Sequence, residues 1–342
     1  MSLNGCVGEF SKLLLSQLNL YTEGEHLLQF AENFDRTWSA HDRTTIGFPT
    51  PYLQVSSTDV LVESFEPGVS LSTYLIEREN TQATLRRRTT SNSPRVGGSS
   101  SSSSADAQTQ RMHHVDRRIA EIGTLSFFEM VLVHNFIHSD LHPGNILIAP
   151  RNPTPTPTGD LSFDVLNDDI RLIYLDVGLT TVLPQESRLN FISLFSAVAS
   201  GQGQRAASLM VERSKDPTSC VDMQGFVRGM SAVIDDAIQS NTHGFSLGNV
   251  RIGQVLTSVM NLCRGHCVVV DDTMAQLVSS IALLDGIGRQ LDPSRDLFET
   301  AQPILFRLFD LHVDYRRAIG AETRKILLQN MGLGGGKVEN KV

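Results

Sequence analysis

The chain has 342 residues, 40% hydrophobic and 19% charged, which is enough apolar content to pack one large domain or two smaller ones. A net charge of −8 argues against a general affinity for nucleic acid, and four scattered cysteines (Cys6, Cys220, Cys263, Cys267) make no disulfide framework. No run of about 18 apolar residues suggests a membrane span. The opening MSLNGCVGEFSK lacks the apolar stretch of a signal peptide, and the first 35 residues lack the arginines of a transit peptide.

In chain order, residues 8–36 read as helix, with Leu13, Leu14, Leu18, Leu27, Leu28, Phe30 and Phe34 as its apolar positions. DVLVE at 59–63 reads as a short strand, followed by SFEPGVSL. Residues 76–112 form a Ser/Arg-rich insertion, with RRR, GGSSSSSS and the start of MHHVDRR. It is expected to be disordered, most strongly over 80–110, because Ser and Gly bury too little apolar area to offset their ordering entropy. A long helix is expected over 114–136, from Val115, Ile119, Ile122, Phe127, Val131 and Leu132. Two strands, 145–149 and 170–175, bracket APRNPTPTPTGD, which reads as a stiff polyproline-like loop. From 185 onward the pattern is helical. One helix start is marked by a capping box of Thr273 and Gln276, with Leu277, Ile281 and Leu284 on one face and a stop near Gly288.

Between the long helix and the strand pair lies HNFIHSDLHPGNILI (134–148). Asp140 sits on the loop after the helix, and Asn145 opens the first strand. Asp176, in LDVG, ends the second strand, with Gly178 there to let the chain turn sharply. If the strands pair, Asn145 and Asp176 emerge at the same end. They then offer the hard oxygen ligands that Mg²⁺ takes together with waters and phosphate oxygens. Asp140 is left as a carboxylate able to accept a hydroxyl proton. The spacing H-x-D-x-x-x-x-N followed by D-x-G is a phosphoryl-transfer layout. His138 belongs to that loop with Asp140, and both His138 and His142 suit hydrogen bonding better than general-base work. The bland alternatives are a Pro143-Gly144 turn capped by Asn145 and an ordinary loop acid at Asp176.

NFIHSDLHPGNILI resembles the catalytic loop of the UbiB family, the aarF-domain-containing atypical kinases of coenzyme Q biology. FPTPYLQVSSTDVLVESFEPGVSL (48–71) resembles that family's approach to the hinge. LNLYTEGEHLLQFAENF (18–34) resembles its αC-like helix, and LLDGIGRQLDP (283–293) its distal helical region. The mix is most similar to the branch called aarF-domain-containing kinase two.

The resemblance implies an α+β, protein-kinase-like fold: a truncated N-lobe (8–75), the insertion (76–112), and a mostly helical C-lobe (113–330) with its Pro-rich loop at 149–169. A flexible tail (331–342) follows. It implies ATP and Mg²⁺ as cofactors, with Asp140 and His138 in the catalytic loop, Asn145 and Asp176 on the metal, and Asn145 also facing the nucleotide. It implies Glu23 as the αC glutamate, and the backbone of Glu63, Ser64 and Phe65 as the adenine hinge. Expected partners are a nucleotide and a lipid or quinone precursor at a membrane surface, with no nucleic acid. The expected location is mitochondrial.

Two departures stand out. The family's αC region carries an E-x-D pair where this chain has Gln17 and Asn19. The lysine that should pair with Glu23, the nucleotide-covering loop and the KxGQ segment are not found upstream. The chain is therefore expected to begin inside the N-lobe, by truncation or a mis-assigned start. Lys12 lies eleven residues before Glu23 on the same expected helix, three turns or about 16 Å away. Two rival readings follow: a catalytically inactive pseudokinase-like fragment, and a small-molecule kinase of the aminoglycoside or choline phosphotransferase type. GQGQRA (201–206), CRGHC (263–267) and GLGGGKV (332–338) read as a helix junction, a helix end and a tail, not as dinucleotide, metal and phosphate motifs.

Overall fold

The computed structural model describes residues 18–38, 45–91, 102–151, 165, 169–214, 216–239, 252–270, 272–293 and 297–311. The chain divides into two units, one made of Met1–Ser126 with His138–Thr180 and the other of Phe127–Ile137 with Thr181–Val342.

The first unit is α+β. Helix α1 (Leu20–Thr37) starts where the Asn19 carboxamide oxygen accepts from the Tyr21 and Thr22 amides. Glu23 in its first turn and Arg36 in its last both complement the helix dipole. Leu27, Phe30 and Phe34, at helical spacing, are its buried face. Four strands follow: β1 (Ile46–Gly47), β2 (Val69–Ser70), β3 (Ile146–Pro150) and β4 (Ile170–Tyr174). Their order is β1-β4-β3-β2, with β1 parallel to β4 and the other pairs antiparallel. Ile148, Leu172, Ile173 and Tyr174 are almost fully buried. Phe48 bridges sheet and helix, its ring centroid 5.3 Å from Phe30 and 5.8 Å from Tyr174. At the far end of the β3–β4 pair the Arg151 amide donates to Asp169 O at 2.8 Å, and the two side chains form an ion pair at 2.8 Å.

Three expectations for this unit are corrected. Residues 76–91 and 102–112 are helical, within α2 (Leu71–Ser91) and α3 (Ser102–Phe128), not disordered; residues 92–101 lie outside the described part. The straight-chain Glu, Gln, Arg and Leu of LIERENTQATLRRR are good helix formers, and Pro94, Gly97 and Gly98 fall in the interval between the helices. Tertiary contact adds to that propensity. Asp116, fully buried on α3, accepts from Arg78 Nε at 2.7 Å and Tyr74 Oη at 2.9 Å, both on α2. DVLVE is not a strand either. Tyr52 N–H donates to Val62 O and Ser64 N–H to Thr50 O, but these two bonds flank a single isolated bridge, Pro51 to Glu63, and no ladder continues from it. The polyproline-like loop lies largely outside the described residues. Finally, the single helix read over 8–36 does not run through: Leu18 and Asn19 are described and not helical, and α1 starts at Leu20 with Asn19 as its N-cap, while residues 1–17 lie outside the described part.

In the second unit, a π-helical turn (Glu129–His134) ends at Asn135, whose left-handed backbone (φ 53°) breaks the helix two residues before the reading of 114–136 placed its end. The wide turn offers carbonyls that the usual ladder leaves unused. Arg188 donates to two of them, Leu132 O and Val133 O. Buried Glu129 pairs with Arg307. From Gln185 on, the described elements are helical: α4 (Gln185–Ala199), α5 (Gly203–Glu212), α6 (Met223–Gln239), α7 (Ile252–Gly265), α8 (Asp272–Leu291) and α9 (Leu297–Leu311), with a short 3₁₀ turn at Pro217–Ser219. Helix α8 runs past Gly288 to Leu291, and the proposed capping box falls on side chains outside the described set. GQGQRA is a helix junction, and CRGHC straddles the end of α7.

The second-unit core is Phe226, Met230 and Ile234 of α6 packed with Ala206, Ala207 and Cys263. Gly203 lets α5 approach α6 closely: a Cβ there would stand 2.6 Å from Ser231 Cα. Gly203→Ala should therefore lower the unfolding free energy by about 1–3 kcal/mol, because backbone rather than a side-chain tip must yield. Urea denaturation tests this, and an unchanged midpoint would refute it. Among the described residues no helix is long and apolar enough to cross a membrane.

Candidate active site

The β3–β4 ladder positions the site. Ile146 pairs with Tyr174, and the next residues outward, Asn145 and Leu175, are joined by a 2.8 Å bond from Leu175 N–H to Asn145 O. The chain leaves β4 at Leu175 and delivers Asp176, as the strand pattern implied. The turn, however, is made by Asp176 itself, which has the left-handed φ of 48°, and not by Gly178. Asp and Asn are the non-glycine residues that tolerate this conformation best. Gly178 instead keeps space open: a Cβ there would lie 3.5 Å from Asp176 Oδ1 and 3.5 Å from Glu23 Oε2.

The residues of the 138–145 loop are tied together. A short 3₁₀ turn (Pro143–Asn145) follows His142, whose Nδ1 accepts from Gly144 N–H at 3.0 Å. Asn145 Nδ2 donates to Asp140 O at 3.2 Å and to Asp140 Oδ2 at 3.4 Å. That leaves Asn145 Oδ1 without a donor among the described residues. The Asp140 side chain is 41% exposed, and His142 Nε2 is 3.9 Å from its Oδ2.

His138 does not share that exposure. It is fully buried, with Nε2 3.1 Å from Leu175 O and Nδ1 accepting the Asp140 amide at 3.3 Å. Both ring nitrogens are used, and burial holds its pKa down at about 4 against the pull of Asp140 and Asp176. The expectation of a catalytic His138 is corrected on this ground. A neutral, buried imidazole with both nitrogens engaged cannot reach a substrate; it fixes the Asp140 backbone to the end of β4.

Glu23 comes in from α1. Its carboxylate accepts from the Val177 amide, and burial first, then Asp176 and Glu63, raise its pKa to about 7. Three acidic groups thus share one corner. The cation expected to face Glu23 cannot be assigned: all five lysines (Lys12, Lys215, Lys325, Lys337, Lys341) lie outside the described residues. The expected hinge is split. Glu63 belongs electrostatically to the Glu23 corner, its own carboxyl raised by burial and by Glu66. Phe65 stands in solvent at 88% exposure.

The raised Glu23 pKa fixes a sign. The folded state holds a proton on Glu23 between pH 4.5 and about 7 that the unfolded chain has released, so this group's contribution to stability is present below pH 4.5 and lost as pH rises through 7. Glu23→Gln should raise Tm at pH 8 and leave it unchanged at pH 4.5. His138 works in the opposite direction over an overlapping range, so parent and variant are compared at each pH. An equal Tm at pH 8 would refute the assignment.

Two positioning groups are invisible in the motif spacing. His26 Nδ1 lies 3.0 Å from Val177 O and 3.2 Å from Thr180 Oγ1, holding α1 to the D-x-G loop. The available signal was its place three residues after Glu23, on the same helix face. Asn19, which read as the loss of an acidic residue, is the N-cap of α1.

As for a metal, the oxygen chemistry fits Mg²⁺: the Asp176 carboxylate, the free Asn145 carbonyl oxygen, and a space beside Asp176 that a Cβ at Gly178 would fill. Among the described residues no group of three or more His, Cys, Asp or Glu forms a metal site by itself. The set therefore suits a cation that also takes phosphate oxygens and water.

The ABC1 atypical kinase-like domain matches residues 1–210. The chain belongs to the ABC1 family. It is 30% identical to the ABC1 family protein YPL109C, mitochondrial, of Saccharomyces cerevisiae over 336 residues, covering 89% of this chain and 45% of that protein. It is also 30% identical to the ABC1 family protein C21C3.03, mitochondrial, of Schizosaccharomyces pombe, covering 89% of this chain and 42% of that protein. A bacterial relative, the probable protein kinase UbiB of Erwinia tasmaniensis, is 24% identical over 300 residues, 87% of this chain and 44% of that protein. The chain thus spans a little under half the length of the curated ABC1 relatives it matches. The two yeast names support a mitochondrial location, and the UbiB name a kinase-like class.

Proposed function

We propose that this chain carries the catalytic-loop and metal-loop part of a Mg²⁺–ATP phosphoryl-transfer site, in an ABC1 protein that serves coenzyme Q or mitochondrial lipid metabolism. The observation supporting this most directly is the hydrogen-bonded Asp140–Asn145 pair set beside an Asp176 that β4 and a left-handed turn deliver to the same end of the sheet. Asn145 Oδ1 and the Asp176 carboxylate would hold Mg²⁺. The ion supplies charge neutralisation on the transferring phosphoryl group when bound. Asp140, with one carboxylate oxygen held by Asn145, has the other to accept the proton of an attacking hydroxyl or water. His138 keeps the Asp140 backbone in place, and His26 keeps the D-x-G loop against α1. The hinge is formed on the Glu63 side, with the backbone of Ser64 and Phe65 meeting the base.

A second reading, nucleotide binding without turnover, is favoured by one observation: burial and the neighbouring Asp176 and Glu63 hold the Glu23 pKa at about 7, so near neutral pH its carboxyl is partly protonated and a weaker partner for a phosphate-holding cation. Calorimetric titration of Mg²⁺–ATP and a phosphate-release assay on the same preparation separate the two. Binding with Mg²⁺-dependent hydrolysis supports transfer, and binding without hydrolysis supports the second. No binding in either form overturns both.

A further inference from the structure

The helical second unit contains a cavity of about 330 Å³ lined by α4, α5, α7 and α8, with Met230 of α6 and with Val269 and Val270 after α7. Its lining is sharply divided. The five polar lining residues, Glu186, Ser187, Asn190, Arg213 and Ser214, all come from the first two turns of α4 and the end of α5. Every other lining residue is apolar, and four are methionines (Met210, Met230, Met260, Met274), whose flexible thioethers adapt to a ligand's shape. Glu186 and Arg213 are exposed, so the polar end opens to solvent; of the apolar lining residues only Val269 is exposed as well.

Arg213 is the group at that polar end with unused capacity. Its Nη1 donates to Asn190 O at 3.3 Å, and no carboxylate lies within ion-pair distance of it among the described residues. Partial burial and the like charge of Arg205 disfavour its cation, while Glu212 and Glu186 act the other way without touching it. An arginine so placed is a fork awaiting an anionic oxygen pair.

The cavity volume sits at the lower end of small-molecule sites, about 300–1,000 Å³. At roughly 30 Å³ per heavy group it takes a chain of about a dozen carbons. We propose that this cavity binds a free single-chain amphiphile with an anionic head, the tail among Leu194, Val259 and Met260 and the head on Arg213.

The test is calorimetric titration of delipidated protein with sodium dodecanoate below its micelle concentration, with dodecyltrimethylammonium as the cationic counterpart. One dodecanoate per chain is expected, with the cationic amphiphile weaker by about tenfold or more, as for one charge-assisted contact exchanged for repulsion. Arg213→Glu, a surface change that leaves folding intact, should weaken dodecanoate by a similar factor. Val259→Trp should abolish binding with Tm and circular dichroism preserved; if it does not fold, Met260→Phe takes its place and should weaken binding at least tenfold. Failure of the parent protein to bind, or equal affinity for both head charges and in Arg213→Glu, overturns the proposal. So does co-sedimentation with phosphatidylglycerol vesicles in the absence of dodecanoate binding, which would make the face a membrane contact.

Discussion

Asp176→Asn should lower magnesium-dependent ATP hydrolysis by about 10²–10³-fold, the cost of removing one preorganised electrostatic group from a phosphoryl-transfer site. Asparagine is the right replacement because it tolerates the left-handed backbone at φ 48°, so shape is kept while a charge is removed. Alanine would add backbone strain and blur the result. A readout independent of turnover accompanies the loss. Asp176 is one of the two acids that hold the Glu23 pKa near 7, so Asp176→Asn should let it fall toward 4.5, visible in a carboxyl-resolved NMR titration. Burial, the larger cause, remains, so a partial fall is expected. Hydrolysis at parental rate in Asp176→Asn would remove Asp176 from the site. An unmoved Glu23 would show that the two carboxylates are not neighbours in solution.

Asp116→Ala should destabilise the first unit by about 3–5 kcal/mol, the range for breaking a buried ion pair from one side. Asp116 is fully buried, and Arg78, whose side chain is only 10% exposed, donates to it from α2. Tyr74 donates as well. With the carboxylate gone, a guanidinium and a phenol lose their acceptor in a place water does not reach freely. The charge itself is expensive: burial raises the Asp116 pKa more than Arg78 and Tyr74 lower it. Asp116→Asn should therefore cost less than Asp116→Ala, since it keeps an acceptor and discards the buried charge. Chemical denaturation followed by circular dichroism measures both. A loss under about 1 kcal/mol in Asp116→Ala would mean that α2 and α3 are not joined through this contact.

The arrangement of the candidate site was legible because it is local in sequence. Asp140 and Asn145 are five residues apart, and one strand pair fixes Asp176 relative to them. Apolar runs such as ILI and IRLIY announce such strands whatever surrounds them. The long helix before the loop was legible through its 3.6-residue spacing, but not its π turn, whose carbonyls are met by Arg188 from 55 and 56 residues downstream. The α2–α3 pair was misread for a related reason. Composition over 76–112 speaks for disorder, and the rescue comes from Tyr74, Arg78 and Asp116 meeting across 38 and 42 residues. DVLVE looked like a strand because β-branched alternation is a property of the segment, whereas a ladder needs a partner that stays in register, and here the pairing stops at the one bridge between Pro51 and Glu63. The burial of His138 escaped for the same reason, since motif spacing reports which residues are close in sequence and nothing of the Phe30 and Tyr174 rings that enclose it.

The clasp between Arg151 and Asp169 has a practical consequence. It closes the β3–β4 hairpin at the end opposite Asn145 and Asp176, so the intervening stretch is tethered by its own base. The entropic cost of lengthening such a stretch grows only with the logarithm of its length. An epitope or a self-labelling peptide spliced in midway between the two clasp residues gives an engineered handle on this protein that leaves the geometry around Asp140 as it is.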